Sequence, residues 1–384
     1  MGTIVAIGPM SIDMYLPALP AIQRHFGADT GSTQLTLALF FVGLAVGQMI
    51  YGPLSDRIGR RGPLLFGLLL YAVASIGCAL APSMEALIAL RLLQALGGCA
   101  GMVIVRAMVR DRFEPQDMAR ILSALVLVMG VAPILAPLAG GQVFVWFGWQ
   151  AIFLVLALFG VVCAALAWKH LPETLAQPTA VSIGSALKGY ARLLGHRRFM
   201  GYALSGGMAQ SGMFAYISVS AFVFIDYYGL SPTQFGWLFG SNAAGLIAAS
   251  QLNARLLRRM PAQQVLRAAL ATNAVAGGAM LAAALTGFGG IWGVLPPLFI
   301  AVASLGLTFP NSTAAAMAPF GDRAGMASAL MGTLQFGLAA LSGALAGHLH
   351  DGTAVTMAAV IACGGLAATI LLRVLVESPT PSSA

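Results

Sequence analysis

Three groups of residues in this chain have the type and spacing to do chemistry. The first is a lone carboxylate, Asp13, set in the apolar run Ser11-Ile12-Asp13-Met14-Tyr15-Leu16-Pro17. An acid in hydrocarbon costs several kcal/mol on insertion scales. Burial favours its neutral, protonated form, so Asp13 suits a proton carrier or the binding of a cationic or hydrogen-bonding ligand. A carboxyl that simply stays neutral, or is satisfied by a neighbouring helix, is the bland alternative. Pro17 lacks the N–H that would bond the carbonyl of residue 13, which frees an acceptor beside the acid. The second group is Arg91, Gln94 and Gly98, spaced i, i+3, i+7 on one helical face. An arginine at that depth faces protein or a watery cavity, or else snorkels to an interface. As a fixed cation it can compete with the proton of a nearby acid. The third is the loop Gly52-Pro53-Leu54-Ser55-Asp56-Arg57-Ile58-Gly59-Arg60-Arg61. There a tight turn presents one acid and several arginines at a helix end, where Asp56 can pair with arginine or with a helix N-terminus and latch one conformation. A basic loop that merely fixes topology would need the arginines but not this acid–glycine arrangement.

The elements that must position these groups are membrane spans. Hydrophobic residues make up 59 % of the 384 residues and charged residues 8 %, against about 25 % charged in soluble domains. Apolar runs of helical length predict twelve spans, near 2–22, 34–54, 63–82, 85–107, 119–142, 149–168, 199–222, 235–254, 264–285, 291–314, 325–346 and 353–376. They are too long and continuous for barrel strands. No signal-peptide pattern precedes the first span. With that span running outward, Arg24 alone of the twenty Lys and Arg residues falls outside, Arg91 lies within a span, and the others fall at or near the cytoplasmic ends. This positive-inside pattern predicts cytoplasmic termini. It also accounts for the net charge of +8 without nucleic acid, since the basic residues sit in short clusters between spans and not on one face.

Residues 169–198 form the longest polar stretch, with Pro172, Pro178, Thr179 and Ser182 followed by an amphipathic piece carrying Leu187, Tyr190, Arg192 and Leu194. The expected organisation is an N-terminal six-helix bundle over 1–168, a cytoplasmic linker with an interfacial helix over 169–198, and a C-terminal six-helix bundle over 199–384. Arg255, Arg258 and Arg259 after span eight repeat the spacing of Arg57, Arg60 and Arg61 after span two, with Ala254 where the first loop has Asp56. Duplicated halves are a transporter architecture. Cys78, Cys99, Cys163 and Cys363 lie in apolar runs without metal-ligand spacing and read as packing residues, and His348 and His350 read as an outer loop without a metal.

The Gly52–Arg61 loop resembles the second-to-third-helix loop of the major facilitator superfamily, G-x-L-x-D-R-x-G-R-R. Asp13-Met14-Tyr15-Leu16-Pro17-Ala18-Leu19-Pro20, Val105-Arg106-Ala107-Met108-Val109-Arg110-Asp111 and Gly325-Met326-Ala327-Ser328-Ala329-Leu330-Met331-Gly332 sharpen this to its Bcr/CflA group of drug:proton antiporters. The resemblance implies an all-α fold of two pseudo-symmetric bundles and a first-helix acid at Asp13. It also implies a proton-coupling role for Arg91 and Gln94, although Ala95 replaces the first glycine of the R-x-x-Q-G-x-G pattern. Pro137, Gly140 and Gly141 in span five match an antiporter-type G-x-x-x-G-P-x-x-G-G element in part, with Ala136 in place of the glycine before the proline and with Gly130 and the helix-bending Pro133 just upstream. The family carries more residues ahead of its first-helix acid, which predicts a longer natural start.

Tyr15, Gln48, Gln210, Asn242 and Gln335 are polar groups within spans that could line a cavity, although interhelical hydrogen bonding suits any one of them better. An enzyme is disfavoured, with no H-E-x-x-H, no G-x-S-x-G and no His/Asp set in the spans. The only lysines, Lys169 and Lys188, lack a Walker A context, and no pore loop suggests a channel. The expectation is therefore a monomeric inner-membrane carrier that exports an amphipathic drug-like molecule against protons, with no cofactor but the proton motive force. Carriage of a specific metabolite, outward or inward, is the alternative.

Overall fold

The apolar runs fold as helices because a chain in lipid must satisfy its own backbone hydrogen bonds. A computed structural model describes residues 1–175 and 183–377. Among these residues the chain is all-helical. In chain order the spans are Gly2–Phe26, Thr30–Ile58, Arg61–Ala79, Met84–Arg112, Pro115–Phe147, Trp149–His170, Arg197–Tyr227, Pro232–Leu256, Ala262–Thr286, Ile291–Met317, Ala324–His348 and Val355–Leu372. Eleven of these helices are both long and apolar enough to cross a membrane. The eighth, Pro232–Leu256, has 25 residues but carries Gln234, Asn242, Gln251 and Asn253. Two of its amides bond to protein: Asn242 donates to the Tyr216 hydroxyl at 3.1 Å and Asn253 accepts from Asn311 at 2.7 Å. Its polarity is therefore turned partly toward neighbouring helices.

Packing repeats between the halves. Span two packs on four, three on four and three on six; span eight packs on ten, nine on ten and nine on twelve. The two main seams between the halves, two against eleven and five against eight, also exchange under this correspondence. Close approach relies on small residues. A Cβ on Gly97 of span four would meet the backbone of Tyr71 in span three.

The alternating spans gather Arg57, Arg60, Arg61, Arg110, Arg112, Arg197, Arg198, Arg255 and Arg259 at one end of the bundle, here the basic end. At the opposite, far end the halves touch. Arg24 Nη1 lies 3.3 Å from Asp226 Oδ1, the Gln34 amide donates to the Ser218 carbonyl, and Gly31 lies against His348. Between the two halves in sequence, the described part of the linker comprises Leu171–Leu175 and a helix at Ile183–Leu194. Tyr190 and Leu193 of that helix are buried in a cluster with Phe199 and Tyr202, while Leu194 is exposed. Pro178, Thr179 and Ser182 of the expected linker lie outside the described residues.

Candidate functional site

Span one is not one continuous helix. A helix over Ile7–Asp13 ends at a turn, a 3₁₀ segment follows at Leu16–Ala18, and Leu19–Phe26 resumes. Pro17 and Pro20 cause the break, because neither can donate to the carbonyl four residues earlier. Asp13 is the last residue before the break and is 4 % exposed. Among the described residues no hydrogen bond or ion pair reaches its carboxyl. The 3₁₀ segment after it packs on span seven, where Tyr216 receives the Asn242 amide and stacks on Phe239 with ring centroids 5.3 Å apart. The 3₁₀ segment touches spans seven and eight, so the acid sits on the face of the first half that meets the second.

Span five crosses at the same break. A Cβ on Gly140 would run into the Met14 carbonyl, and one on Gly141 would lie 3.2 Å from the Pro232 carbonyl. Gly130 lies against Ile247 of span eight, and Pro133 and Pro137 lie inside the span-five helix. These glycines and prolines thus pack one helix against both span one and the other half.

Arg91 is fully buried but not beside Asp13. Its Nη1 donates to the Ser11 carbonyl at 3.1 Å and to Gln94 Oε1 at 2.6 Å. Gln94 Nε2 in turn donates to Ser75 Oγ at 2.7 Å. The guanidinium lies 4.2 Å from the Phe40 ring centroid, 4.7 Å from Tyr15 and 5.9 Å from Phe153. Aromatic faces here supply the negative potential that a carboxylate would supply elsewhere. Side chains at 11 and 13 leave a helix on nearly opposite sides, which is why an arginine on the Ser11 side does not meet the acid. The snorkelling alternative does not hold, since no part of Arg91 reaches the surface.

At the basic end the loop residues form a tight network inside the first half. Arg60 pairs with Asp56, bonds Asp111 Oδ2 through Nε at 2.9 Å, and donates from Nη1 to Ser55 Oγ at 2.9 Å. Burial opposes the Arg60 charge, but the bonds to Asp111 and Asp56 outweigh it and hold the group above the ordinary arginine value. Gly59 has φ +101°, a region that favours glycine. Arg57 is exposed. Sequence reasoning missed Glu173 at the start of the linker. Its carboxylate accepts the backbone N–H groups of Arg60 at 2.8 Å and Arg61 at 3.0 Å, capping span three, while Arg61 Nη2 donates to the Trp168 carbonyl at 2.7 Å. Partial burial would raise the Glu173 pKa, but backbone N–H bonds from Leu175, Arg60, Arg61 and Thr174 hold it below the usual value. A carboxylate 112 residues from the N–H it caps leaves no local sequence signal.

A cavity of about 350 Å³ opens here between the halves. Its first-half wall includes Gln48, Asp56, Arg60, Arg106 and Arg110; Tyr190 of the linker helix and Met326 and Ser328 of span eleven face them. Of the other polar residues singled out in the spans, Tyr15 is fully buried with its hydroxyl 2.8 Å from Thr36 Oγ1, and Asn242 is held by Tyr216. Gln210 is half-buried with Oε1 unpartnered among the described residues, and Gln335 is half-buried.

The profile described as Major Facilitator Superfamily matches residues 1–344. An uncharacterized MFS-type transporter, YdgK, of Bacillus subtilis (strain 168) is 37 % identical over 365 residues, covering 94 % of this chain and 90 % of that protein. The bicyclomycin resistance protein homolog of Haemophilus influenzae is 30 % identical over 359 residues, covering 93 % and 90 %. Among solved structures, a peptide transporter POT in complex with alafosfalin superposes with a TM-score of 0.78 at 15 % identity, covering 98 % of this chain and 92 % of that one.

Proposed function

The chain belongs to the major facilitator superfamily, within its Bcr/CflA group, and from that premise we propose that it exports drug-like small molecules in exchange for protons by alternating access. Members of this superfamily are transporters and not enzymes. The observation that carries the proton step is Asp13, a buried carboxyl without a hydrogen bond or ion pair among the described residues, beside a 3₁₀ segment that touches the second half. Such a group is costly when charged and unpaired. It is tolerated as a proton site that empties when substrate or water reaches it. Asp13 holds a proton in one state and yields it as substrate binds, while the halves rock about the span two–eleven and five–eight seams. We place the arginine-rich end in the cytoplasm of a bacterial inner membrane, with both termini inside; the touching far ends and the open basic end then correspond to an inward-facing state. The relative named as a bicyclomycin resistance protein homolog supports drug export.

Two measurements test this reading. In an efflux-deficient host, expression should lower accumulation of bicyclomycin- or phenicol-type drugs, and a protonophore should erase the difference. In reconstituted vesicles Asp13→Asn should abolish pH-driven transport while the protein still inserts and elutes as wild type. Full pH-driven transport by Asp13→Asn would falsify the assignment. Transport by the wild type of one metabolite only, with no drug in the panel moved, would replace drug export by the metabolite reading and leave the proton step standing.

A further inference from the structure

The basic-end cavity holds more positive charge than the Arg60 network uses. Three arginines line it: Arg60, Arg106 and Arg110. Arg60 is matched by Asp56 and Asp111. Arg106 and Arg110, one helical turn apart on span four, make no ion pair among the described residues. The recorded polar neighbour of Arg106 is the Met129 sulfur, 3.9 Å from Nη2, a weak acceptor. Arg110 Nη1 stands across the gap from Gly325 at the start of span eleven. Among the described residues the one carboxylate lining the cavity, Asp56, is already engaged by Arg60. Membrane topology explains why arginines gather at this end, Arg106 and Arg110 included, which are exposed like Arg57 and Arg112. It does not explain two unmatched guanidinium groups in the wall of a slot between the halves.

We propose that this cavity is a binding site for a small amphipathic anion, with one carboxylate- or phosphate-class group held by Arg106 and Arg110 and an apolar body against Val103, Ala107 and Met326. The chemistry of the wall selects that class. Guanidinium groups bind carboxylate and phosphate through charge-assisted, often paired hydrogen bonds. The apolar residues between them favour an anion with a hydrocarbon part over a bare ion. The volume of about 350 Å³ is that of a small-molecule site. An occupant would touch span four on one side and span eleven on the other, so it binds only while the basic end is open and favours that arrangement. The site is separate from Asp13, and equilibrium binding without any gradient tests it, so its failure leaves the proton reading intact.

The test uses the full chain in phosphatidylcholine nanodiscs, titrated calorimetrically with salicylate, with its neutral analogue salicylamide, and with inorganic phosphate. Saturable binding of salicylate is expected, with salicylamide and phosphate at least about tenfold weaker. Arg106→Gln with Arg110→Gln should weaken salicylate by about tenfold or more. Arg112→Gln should not, and the double lysine variant should recover part of the loss. Should the double glutamine variant fail to fold, wild-type protein supplies the second measurement: salicylate should protect Arg106 and Arg110, but not Arg112, from phenylglyoxal as read by mass spectrometry. Discs containing phosphatidylglycerol separate the two sources of anion. Displacement of salicylate there marks a lipid headgroup as the native occupant, and undiminished binding marks a free organic anion. Equal affinity for salicylate and salicylamide, or an unchanged salicylate affinity in a folded double glutamine variant, overturns the proposal. Absence of arginine protection does the same.

Discussion

The contact between the far ends of the halves rests on packing and not on its ion pair, and a single methyl group tests that. Gly347 in span eleven lies against Gln34 in span two, and a Cβ placed there would overlap the Gln34 Cβ and Cγ. Gln34 is fully buried and its amide donates to the Ser218 carbonyl, so it cannot turn aside without breaking that bond. Gly347→Ala adds up to about 1 kcal/mol of helix propensity, but that gain acts in every conformation and cancels. The clash acts only while the far ends touch, and overpacking of this kind costs typically about 1–3 kcal/mol. The equilibrium should therefore move roughly 5- to 150-fold toward a far-end-open state. Arg24→Gln removes the visible ion pair across the same seam, whose side chains are 66 % and 40 % exposed. Such a pair contributes below about 1 kcal/mol, so its removal should shift the equilibrium less than about fivefold. Spin labels on cysteines replacing the exposed Phe147 and Tyr227, with Cys363 changed to serine, report the far-end separation by double electron–electron resonance. The reasoning is refuted if Arg24→Gln opens the far end as much as Gly347→Ala does, or if Gly347→Ala leaves the distance distribution unchanged.

Two further outcomes follow from the geometry. Glu173→Gln should lower the thermal stability of the solubilised protein modestly, by about 0.5–1 kcal/mol, since it weakens a water-exposed helix cap. Because the folded Glu173 pKa is held below its ordinary value, that contribution is present above the unfolded pKa of about 4.3 and is lost as pH falls through the folded value. The gap between wild type and variant in melting scans should therefore close on acidification below about pH 4; a gap constant with pH would remove Glu173 as the cap. Gly97→Leu should abolish accumulation in the membrane, because the new side chain meets the Tyr71 backbone, which cannot rotate away. Normal accumulation on quantitative immunoblots would contradict the span three–four packing.

What could be read from the chain, and what could not, divides along a physical line. Spans were legible because twenty apolar residues in a row have one good solvent, and span eight remained legible as a helix although Asn242 and Asn253 lower its apolarity. Asp13 announced itself because an acid in such a run is expensive. Its surroundings did not: a sequence shows which residues share a helix face but not which helix meets that face. Thus Arg91 and Asp13, two charges expected to act on one another, lie on different sides of span one, and the aromatic rings around Arg91 come from residues 15, 40 and 153. Glu173 escaped notice for the same reason, because the helix N-terminus it caps lies more than a hundred residues away. Arg106 and Arg110 were visible but were absorbed by the topology rule, which accounts for an arginine's end of the membrane and says nothing about the space its guanidinium faces.

The separate placement of the two intramembrane charges bears on which one can switch. Every recorded polar or ring partner of Arg91 belongs to the first half: Ser11, Gln94, Tyr15, Phe40 and Phe153. A rigid-body rocking of one half against the other leaves that set unchanged, so the arginine keeps its environment throughout the cycle. Asp13 differs, since the 3₁₀ segment beside it touches spans seven and eight of the second half. Rocking must alter the polarity and water access around Asp13 while sparing Arg91. In the proposed cycle the arginine thus braces the broken first helix through the Ser11 carbonyl, and the carboxyl alone experiences the two states between which a proton can be gained and lost.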